Sequence, residues 1–274
     1  MAAEAMTPAL RPAALFIGHP GHELRVYGWS RSVRPKVFIL TDGSGTDAAS
    51  RLDRTTQLLS RIGAVAGRIY ARFSDREIYE AIMDGPVSRF TEMADEIAQE
   101  WIEDGTEIVA SDANEGYCPT HDLCCEMAKA ATELVFQQSG RRIDRYTFRL
   151  TVSNSEAEEA LSKNALRIRL DDEVLDEKIA AAKSYLELRH EVDQALALKG
   201  ADYFRNELLL PGGDWNREDA DYKPFYEERG ERRVEQRTFT SVLRYREHVL
   251  PIFNALREHA TSLSASMAAP HAIA

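Results

Sequence analysis

The chain has 274 residues and a formal net charge of −11; 44% of its residues are hydrophobic and 29% are charged. These proportions are typical of a globular protein with a substantial core. The acidic balance argues against nucleic acid or an anionic membrane as the main partner, because both attract basic surfaces.

The N-terminal apolar run ends at Gly18 after a few residues. Such a run is too short for a signal peptide or a membrane span, so we expect neither. We therefore expect a cytoplasmic protein.

Short apolar runs alternate with amphipathic stretches along most of the chain. The predicted strands are 13–18, 36–40, 67–73, 106–111, 146–152 and 165–172. The predicted helices lie within 50–62, 75–104, 121–139, 173–196 and 238–260. This alternation predicts an α/β fold, a Rossmann-like three-layer sandwich with a mostly parallel sheet and helices on both faces.

The sequence contains no internal repeat and no strong linker. We therefore predict one domain over 1–260, with a C-terminal elaboration from about residue 203. The stretch 203–233 is aromatic, charged and irregular, and is interpreted either as a lid over a substrate site or as a surface connection. The polar tail 261–274 is predicted to be disordered.

Three predicted loops follow strands at one edge of the sheet, which is where ligands bind in open α/β folds. The first, 18–25, carries His19, His22 and Glu23, and the second, 41–47, carries Asp42. The third, 111–122, contains Asp112, Glu115, Tyr117, Cys118, His121 and Asp122.

The histidines of these loops are candidate metal ligands. Imidazole and carboxylate together suit zinc, which in catalytic sites takes three protein ligands and keeps one open position. The His-x-x-His spacing of His19 and His22 is a weak signal alone, and His121 at the same edge strengthens it. The alternative is that all three histidines cap helices without a metal.

The cysteines offer a rival arrangement. Cys118, His121 and Cys124 have a spacing compatible with metal ligation, but Cys124 and Cys125 lie in an apolar helical stripe and are interpreted as core residues. Cys118 with His121 could instead form a nucleophilic pair. Three clustered cysteines make no disulfide framework and suit a reducing compartment.

The second loop, "TDGSG", resembles a phosphate-cradling turn without the full phosphate-loop or dinucleotide fingerprint. A strand-to-helix turn capped by Asp42 is the simpler interpretation.

The order of these motifs resembles the PIG-L/LmbE family of zinc-dependent N-deacetylases. The family's His-Pro-Asp-Asp-Glu loop corresponds to His19-Pro20-Gly21-His22-Glu23, its second strand to "LTDGSG", and its later loop to "SDANEGYCPTHD". Two further segments, "DEKIAAAKSYLEL" and "ADYFRNELL", resemble later family segments. The resemblance covers roughly residues 12–210.

The resemblance implies that His19, His22 and His121 bind Zn²⁺ or another divalent metal, with His22 in place of the usual aspartate. It also implies that Asp112 orients a ligand histidine and that Tyr117 donates to an oxyanion. Arg51 and Asp42 become candidates for contact with the substrate. An ordinary helix-start arginine explains Arg51 equally well, and a turn cap is the favoured interpretation of Asp42.

Two positions depart from the family pattern. The family's general base falls at Gly21, and a histidine that polarises the scissile carbonyl falls near Pro119. The candidate replacements for the base are Glu115, which we rank first, Glu23 and Asp122.

The resemblance thus implies a metal-dependent hydrolase, most simply an N-deacetylase of a small N-acyl amino sugar or related metabolite. Another metal-dependent reaction remains an alternative, as does a non-catalytic metal-binding or scaffold protein, since Gly21 has no side chain to serve as a base. The sequence gives no information on the oligomeric state.

Overall fold

The computed structural model describes residues 11–45, 49–151, 164–213 and 222–267. Seven strands form one sheet in the order β3-β2-β1-β4-β5-β7-β6. The strands are β1 (Ala13–Ile17), β2 (Lys36–Thr41), β3 (Val65–Phe73), β4 (Ile108–Asp112), β5 (Asp144–Phe148), β6 (Leu166–Arg169) and β7 (Asn206–Pro211).

Strands β1 to β5 pair in parallel, and β7 pairs antiparallel with both β5 and β6. The helices are α1 (Tyr27–Val33), α2 (Leu52–Ile62), α3 (Asp75–Asp84), α4 (Ser88–Glu103), α5 (Pro119–Ser139), α6 (Asp172–Ser184), α7 (Arg189–Lys199), α8 (Phe225–Glu235) and α9 (Leu250–Met267). The predicted α/β three-layer architecture with a mostly parallel sheet is confirmed.

The central strand β1 is buried on both faces. Ala14 and Phe16 belong to one core cluster, which includes residues of α4, α5 and α9. Leu15 and Ile17 belong to the other, which includes residues of α1, α2 and α6. Successive strand side chains point to opposite faces, so a run of apolar residues is what a strand covered on both sides requires.

The C-terminal third differs in detail from the sequence-based expectation. The predicted helix 173–196 is two helices, α6 and α7, separated by Tyr185 and a 3₁₀ turn at Leu186–Leu188. The stretch 203–233, expected to be irregular, contains β7 and most of α8. Helix α9 continues to Met267, beyond the predicted end at 260.

Some predicted features lie outside the described residues. These are residues 46 and 47 of the second loop, the final residue of the predicted strand 146–152, positions 214–221 of the irregular stretch, and 268–274 of the tail. Among the helices that the structure does describe, none combines the length and apolarity required to cross a bilayer.

Candidate metal centre

The candidate site lies at the point in the sheet where the order of strand addition reverses. From β1 the chain builds β2 and β3 on one side, whereas β4 and β5 extend the sheet on the other. Ligand sites of open α/β sheets form at such a switch point, beyond the carboxyl ends of the strands. Gly18 follows β1 and donates its N–H to Asp112 Oδ2, at the end of β4, over 2.7 Å.

Three histidines from two loops converge at this point. The ring centroids lie 5.2 Å apart for His19 and His22, 5.2 Å for His19 and His121, and 4.6 Å for His22 and His121. His22 opens a 3₁₀ helix over His22–Val26, and His121 lies in the first turn of α5, which begins at Pro119. The structure thus brings together the three residues proposed as metal ligands.

His19 is held by polar groups from two other elements. Its Nδ1 lies 2.7 Å from Thr41 Oγ1 and 2.9 Å from Asp75 Oδ1. Burial by itself disfavours the imidazolium, but the hydrogen bond to Asp75 and the proximity of Cys118 raise the pKa of His19 to about 10. With Nδ1 engaged, Nε2 is the nitrogen left for a ligand.

His22 has a comparable carboxylate partner. Its Nδ1 lies 2.8 Å from Oδ2 of the fully buried Asp112. Burial lowers the pKa of His22 to about 4, although Asp112 opposes this shift. Asp112 therefore lies where a residue that orients a ligand histidine would lie, and its role stays a prediction.

Cys118 lies against the same cluster. Its Sγ is 3.8 Å from His19 Nε2, and ligand atoms of His19, Cys118 and His121 all lie within 4.8 Å of one another. Burial raises the pKa of a thiol, but His121 and His19 outweigh that effect and hold the pKa of Cys118 well below its usual range. Cys124 and Cys125 are buried in α5, and Cys124 belongs to the core.

The donor set fits a divalent metal. Imidazole nitrogens and a thiolate are the ligands that zinc prefers. Two buried polar atoms, Asp112 Oδ1 and His121 Nδ1, have no hydrogen-bond partner among the described residues. Buried polar atoms are rarely left unpaired, so such a pair at one site points to a ligand of the protein.

Glu23 belongs to the first loop, and both oxygens of its carboxylate accept hydrogen bonds from other residues. Its Oε2 accepts from Gly21 N–H over 2.8 Å, and its Oε1 accepts from the hydroxyls of Thr55 and Tyr185. The side chain is almost completely buried, and this burial raises its pKa. These contacts fix the shape of the first loop.

Glu115 and Asp122 stabilise the third loop in different ways. Glu115 accepts from the backbone N–H of Leu150 and from Thr151 Oγ1, through both of its oxygens. Asp122 uses Oδ1 to accept from the N–H groups of Glu115 and Gly116, and its Oδ2 has no hydrogen bond within the described residues. Burial raises the pKa of Asp122 to about 7.

The remaining candidates lie further out. Tyr117 is 40% exposed and stacks on Phe225 with ring centroids 5.4 Å apart. Asp42 Oδ1 accepts from the N–H of Ser44, as expected for a turn residue. Arg51 donates from Nε to the carbonyl of Gly43, and its Nη1 lies 4.0 Å from where a Cβ on Gly21 would be.

Asp75 was missed by sequence reasoning. It is the first residue of α3, and it follows Ser74, whose side chain forms a capping box with Glu77. A Ser-x-x-Glu pattern directly after a predicted strand marks a helix start at the ligand-binding edge of the sheet. That signal could have placed Asp75 near His19.

Comparisons with known proteins support the fold. No protein-family model matches the sequence, and no curated protein matches it either. Among solved structures, the conserved protein TT1542 from Thermus thermophilus aligns with 78% of this chain and 100% of that chain, at 13% identity and a TM-score of 0.52.

Two other solved structures are deacetylases. The antimicrobial reagent A40926 pseudoaglycone deacetylase Dbv21 is 14% identical over 76% of this chain and 100% of its own, with a TM-score of 0.46. A deacetylase–teicoplanin complex is 14% identical over 73% of this chain and 98% of its own, with a TM-score of 0.49. At these identities the likeness concerns the fold alone.

Proposed function

We propose that this chain is a metal-dependent amide hydrolase that removes an acyl group from a small N-acyl compound. The observation that carries the proposal is the convergence of His19, His22 and His121 at the sheet switch point, with two of the three imidazoles backed by carboxylates. The sequence resemblance to N-deacetylases supports the same chemistry and implies an N-acyl amino sugar or a related N-acyl metabolite as the substrate class.

The three histidines would hold a divalent cation, with zinc as the first candidate. When bound, such a cation acidifies water and polarises the amide carbonyl. Asp75 and Asp112 each keep a hydrogen bond on Nδ1 of their histidine, so that Nε2 of His19 and of His22 is left for the cation. Carboxylate partners of this kind fix the orientation of a ligand histidine and raise its basicity.

A carboxylate is also needed to move the proton from water to the amine. Glu115 was our first choice from the sequence, but both of its oxygens hold the backbone and side chain at 150–151. The carboxylate of Glu23 is similarly occupied by the first loop. Asp122 has one oxygen without a hydrogen-bond partner among the described residues, so we propose Asp122 for this role.

The Cys118 geometry favours a second candidate function. The ligand atoms of His19, Cys118 and His121 lie within 4.8 Å of one another. If these three residues bound one cation and His22 completed the set, the four ligands would fill a tetrahedral site and leave no position for water, which is the character of a structural centre. The chain would then be a non-catalytic metal-binding protein. Cobalt substitution separates the two cases, because a thiolate ligand adds a charge-transfer absorption that imidazole ligands lack.

Release of free amine from N-acyl compounds by the zinc-loaded protein tests the proposal. We expect activity in the wild type, a large loss in Asp122→Asn and a small loss in Glu115→Gln. Hydrolysis that persists at the wild-type rate in Asp122→Asn would remove Asp122 from the mechanism. Stoichiometric zinc without hydrolysis of any N-acyl compound would favour the metal-binding alternative or another metal-dependent reaction.

A further inference from the structure

A cavity of about 820 Å³ opens beside the histidine cluster. Gly21 and His22 form part of its wall, so a ligand in the cavity can reach the proposed metal centre. Ligand sites of roughly 300–1,000 Å³ accommodate drug-sized molecules, and an acetyl group would fill only a small part of this space.

Helix α7 supplies an apolar wall of the cavity. Leu188, directly before it, and Val192, Ala195 and Leu196 within it line the space. These positions recur at intervals of three and four residues, so they share one face of the helix. None of the residues of α7 is fully buried, and Leu198 on another face is 78% exposed. This face of α7 therefore covers the cavity.

The remaining walls mix apolar residues with polar and charged ones. The apolar side chains come from the 3₁₀ helix after β1, from β5 and the residues after it, and from α6 and β7; they are Leu24, Phe148, Leu150, Ile179 and Leu208. Together with the apolar side chains of α7, they offer contacts to a hydrocarbon chain.

Arg25 is a cation in the wall of the cavity. It follows His22 by three positions in the 3₁₀ helix, where residues i and i+3 lie on the same side, about 6 Å apart along the axis. Its Nε donates to the carbonyl of Arg149 over 3.0 Å. No carboxylate of the described residues lies within ion-pair distance of Arg25.

Three other charged groups of the wall already have partners. Lys178 pairs with Glu207 at 2.9 Å, Lys199 donates to the hydroxyl of Tyr203, and Asp202 pairs with Arg205. Glu191 also lines the cavity, on α7. Arg25 is thus a cation near His22 that forms no close ion pair within the described part of the chain, although Glu115 and Glu207 interact with it over a longer distance.

We propose that the substrate is an N-acyl amino acid with a long apolar acyl chain, an inference that rests on the proposed hydrolase function. The acyl chain occupies the cavity under α7, the amide lies at the histidine cluster, and the carboxylate pairs with Arg25. Hydrolysis breaks the amide C–N bond: water gives its hydroxyl to the acyl carbon and a proton to the nitrogen, which yields a fatty acid and a free amino acid.

Binding to the full chain, measured by isothermal titration calorimetry without metal, tests the cavity independently of turnover. The probes are N-decanoylglycine, decanamide, which lacks the carboxylate, and N-acetylglycine, which lacks the chain. We expect N-decanoylglycine to bind at least tenfold more tightly than either of the others. N-acetylglycine binding as tightly as N-decanoylglycine would overturn the proposal.

Two matched pairs of variants localise the effect. Arg25→Gln should weaken N-decanoylglycine at least tenfold and leave decanamide unchanged, whereas Arg189→Gln, an exposed arginine of α7, should change neither. Leu196→Glu should weaken both decanoyl probes, whereas the exposed control Leu198→Glu should not. Equal effects within either pair, in variants with wild-type circular dichroism, would place the ligand elsewhere.

The hydrolase assay distinguishes the two proposals. If N-decanoylglycine binds as expected but the zinc-loaded protein hydrolyses no N-acyl compound, the hydrolase function fails and the binding site stands. If the protein hydrolyses short N-acyl compounds without any preference for chain or carboxylate, the hydrolase function stands and the N-acyl amino acid proposal fails.

Discussion

At the residue scale, hydrogen bonds to Nδ1 of His19 and His22 determine which ring nitrogen of each histidine is available to a cation. Asp75 and Asp112 engage Nδ1 of His19 and His22, and each carboxylate comes from a different strand end or helix start. Such partners hold the imidazole rings in place before any metal arrives. The centre is therefore arranged by residues that would not themselves bind the cation.

Replacement of Asp75 tests this arrangement. We expect Asp75→Asn to weaken zinc affinity by about 10–100-fold, because His19 loses a charged partner on Nδ1. Competition with a chromophoric chelator measures the affinity. Asp95→Asn is the matched control, since Asp95 makes the same kind of contact with His259, 2.9 Å away on another part of the surface. Unchanged zinc affinity in Asp75→Asn would contradict the assigned role.

Gly21 stands where the PIG-L/LmbE pattern that the first loop resembles has its general base. Its φ is +104°, outside the regions that residues with a side chain normally adopt. A Cβ at this position would lie 3.0 Å from Leu188 Cδ1, on the segment that leads into α7. A side chain at this position would therefore strain the backbone of the first loop and crowd the side chain of Leu188.

Consequently, Gly21→Asp should not restore a general base. We expect it to lower the free energy of unfolding by about 1–3 kcal/mol, because of backbone strain and contact with Leu188. Urea denaturation measures the change. Gly140→Asp is the control: its φ is +71° and no atom lies within 4 Å of the added Cβ, so the loss should be smaller. A Gly21→Asp protein as stable as the wild type would contradict this account.

Part of the candidate site could be predicted from the sequence. His19 and His22 follow one apolar strand and His121 begins a helix after another, so their meeting follows from a parallel sheet. Asp112 was expected beside a ligand histidine, and it contacts His22. Which carboxylate is free to act as a base could not be predicted, because side-chain direction depends on packing. The sequence pattern gives Glu115 no structural role, yet its carboxylate accepts from the N–H of Leu150.

At the element scale, the break between α6 and α7 links the cover of the cavity to the first loop. The helix-forming sequence 173–196 contains no Pro or Gly to signal a break. The chain nevertheless leaves the helix at Tyr185, which is fully buried and donates its hydroxyl to Glu23. Burial of this aromatic ring outweighs local helix propensity, an effect that sequence patterns do not contain.

Tyr185→Phe tests this connection. The substitution leaves the buried Glu23 with one donor fewer, and we expect the free energy of unfolding to fall by about 1–3 kcal/mol. Urea denaturation again provides the measurement. In the control, Tyr70→Phe removes a solvent-exposed hydrogen bond of 2.9 Å to Thr56 and should change stability by less than about 0.5 kcal/mol. Equal losses in the two variants would argue against a special role for Tyr185.

Strands β1, β2 and β4 were predictable because they are almost entirely buried and contain continuous apolar runs. Strand β7 was missed, since its apolar residues lie within a charged and aromatic stretch that resembles a loop. Its partners, β5 and β6, are distant in sequence, and pairing over such separations cannot be inferred from local pattern.

At the scale of the whole molecule, the adjacency of β1 and β4 creates the candidate centre. Because these two strands are neighbours, the loops that follow them are also neighbours. His19 and His22 therefore lie close to His121, although they are far from it in the sequence. The region after α5 then builds the cavity beside them, through β5, α6, α7 and β7. The elements up to α5 thus position the three histidines, and the elements after α5 form most of the cavity from which a ligand can reach them.

Elemental analysis of the purified protein tests the central claim most directly. After metal loading and removal of excess ions, we predict about one equivalent of a divalent metal per chain, as expected for one three-ligand site. His19→Ala and His121→Ala should each lose it, whereas His259→Ala, outside the cluster, should retain it. A wild-type protein without stoichiometric metal, or a His121→Ala variant that keeps its full metal content, would contradict the account.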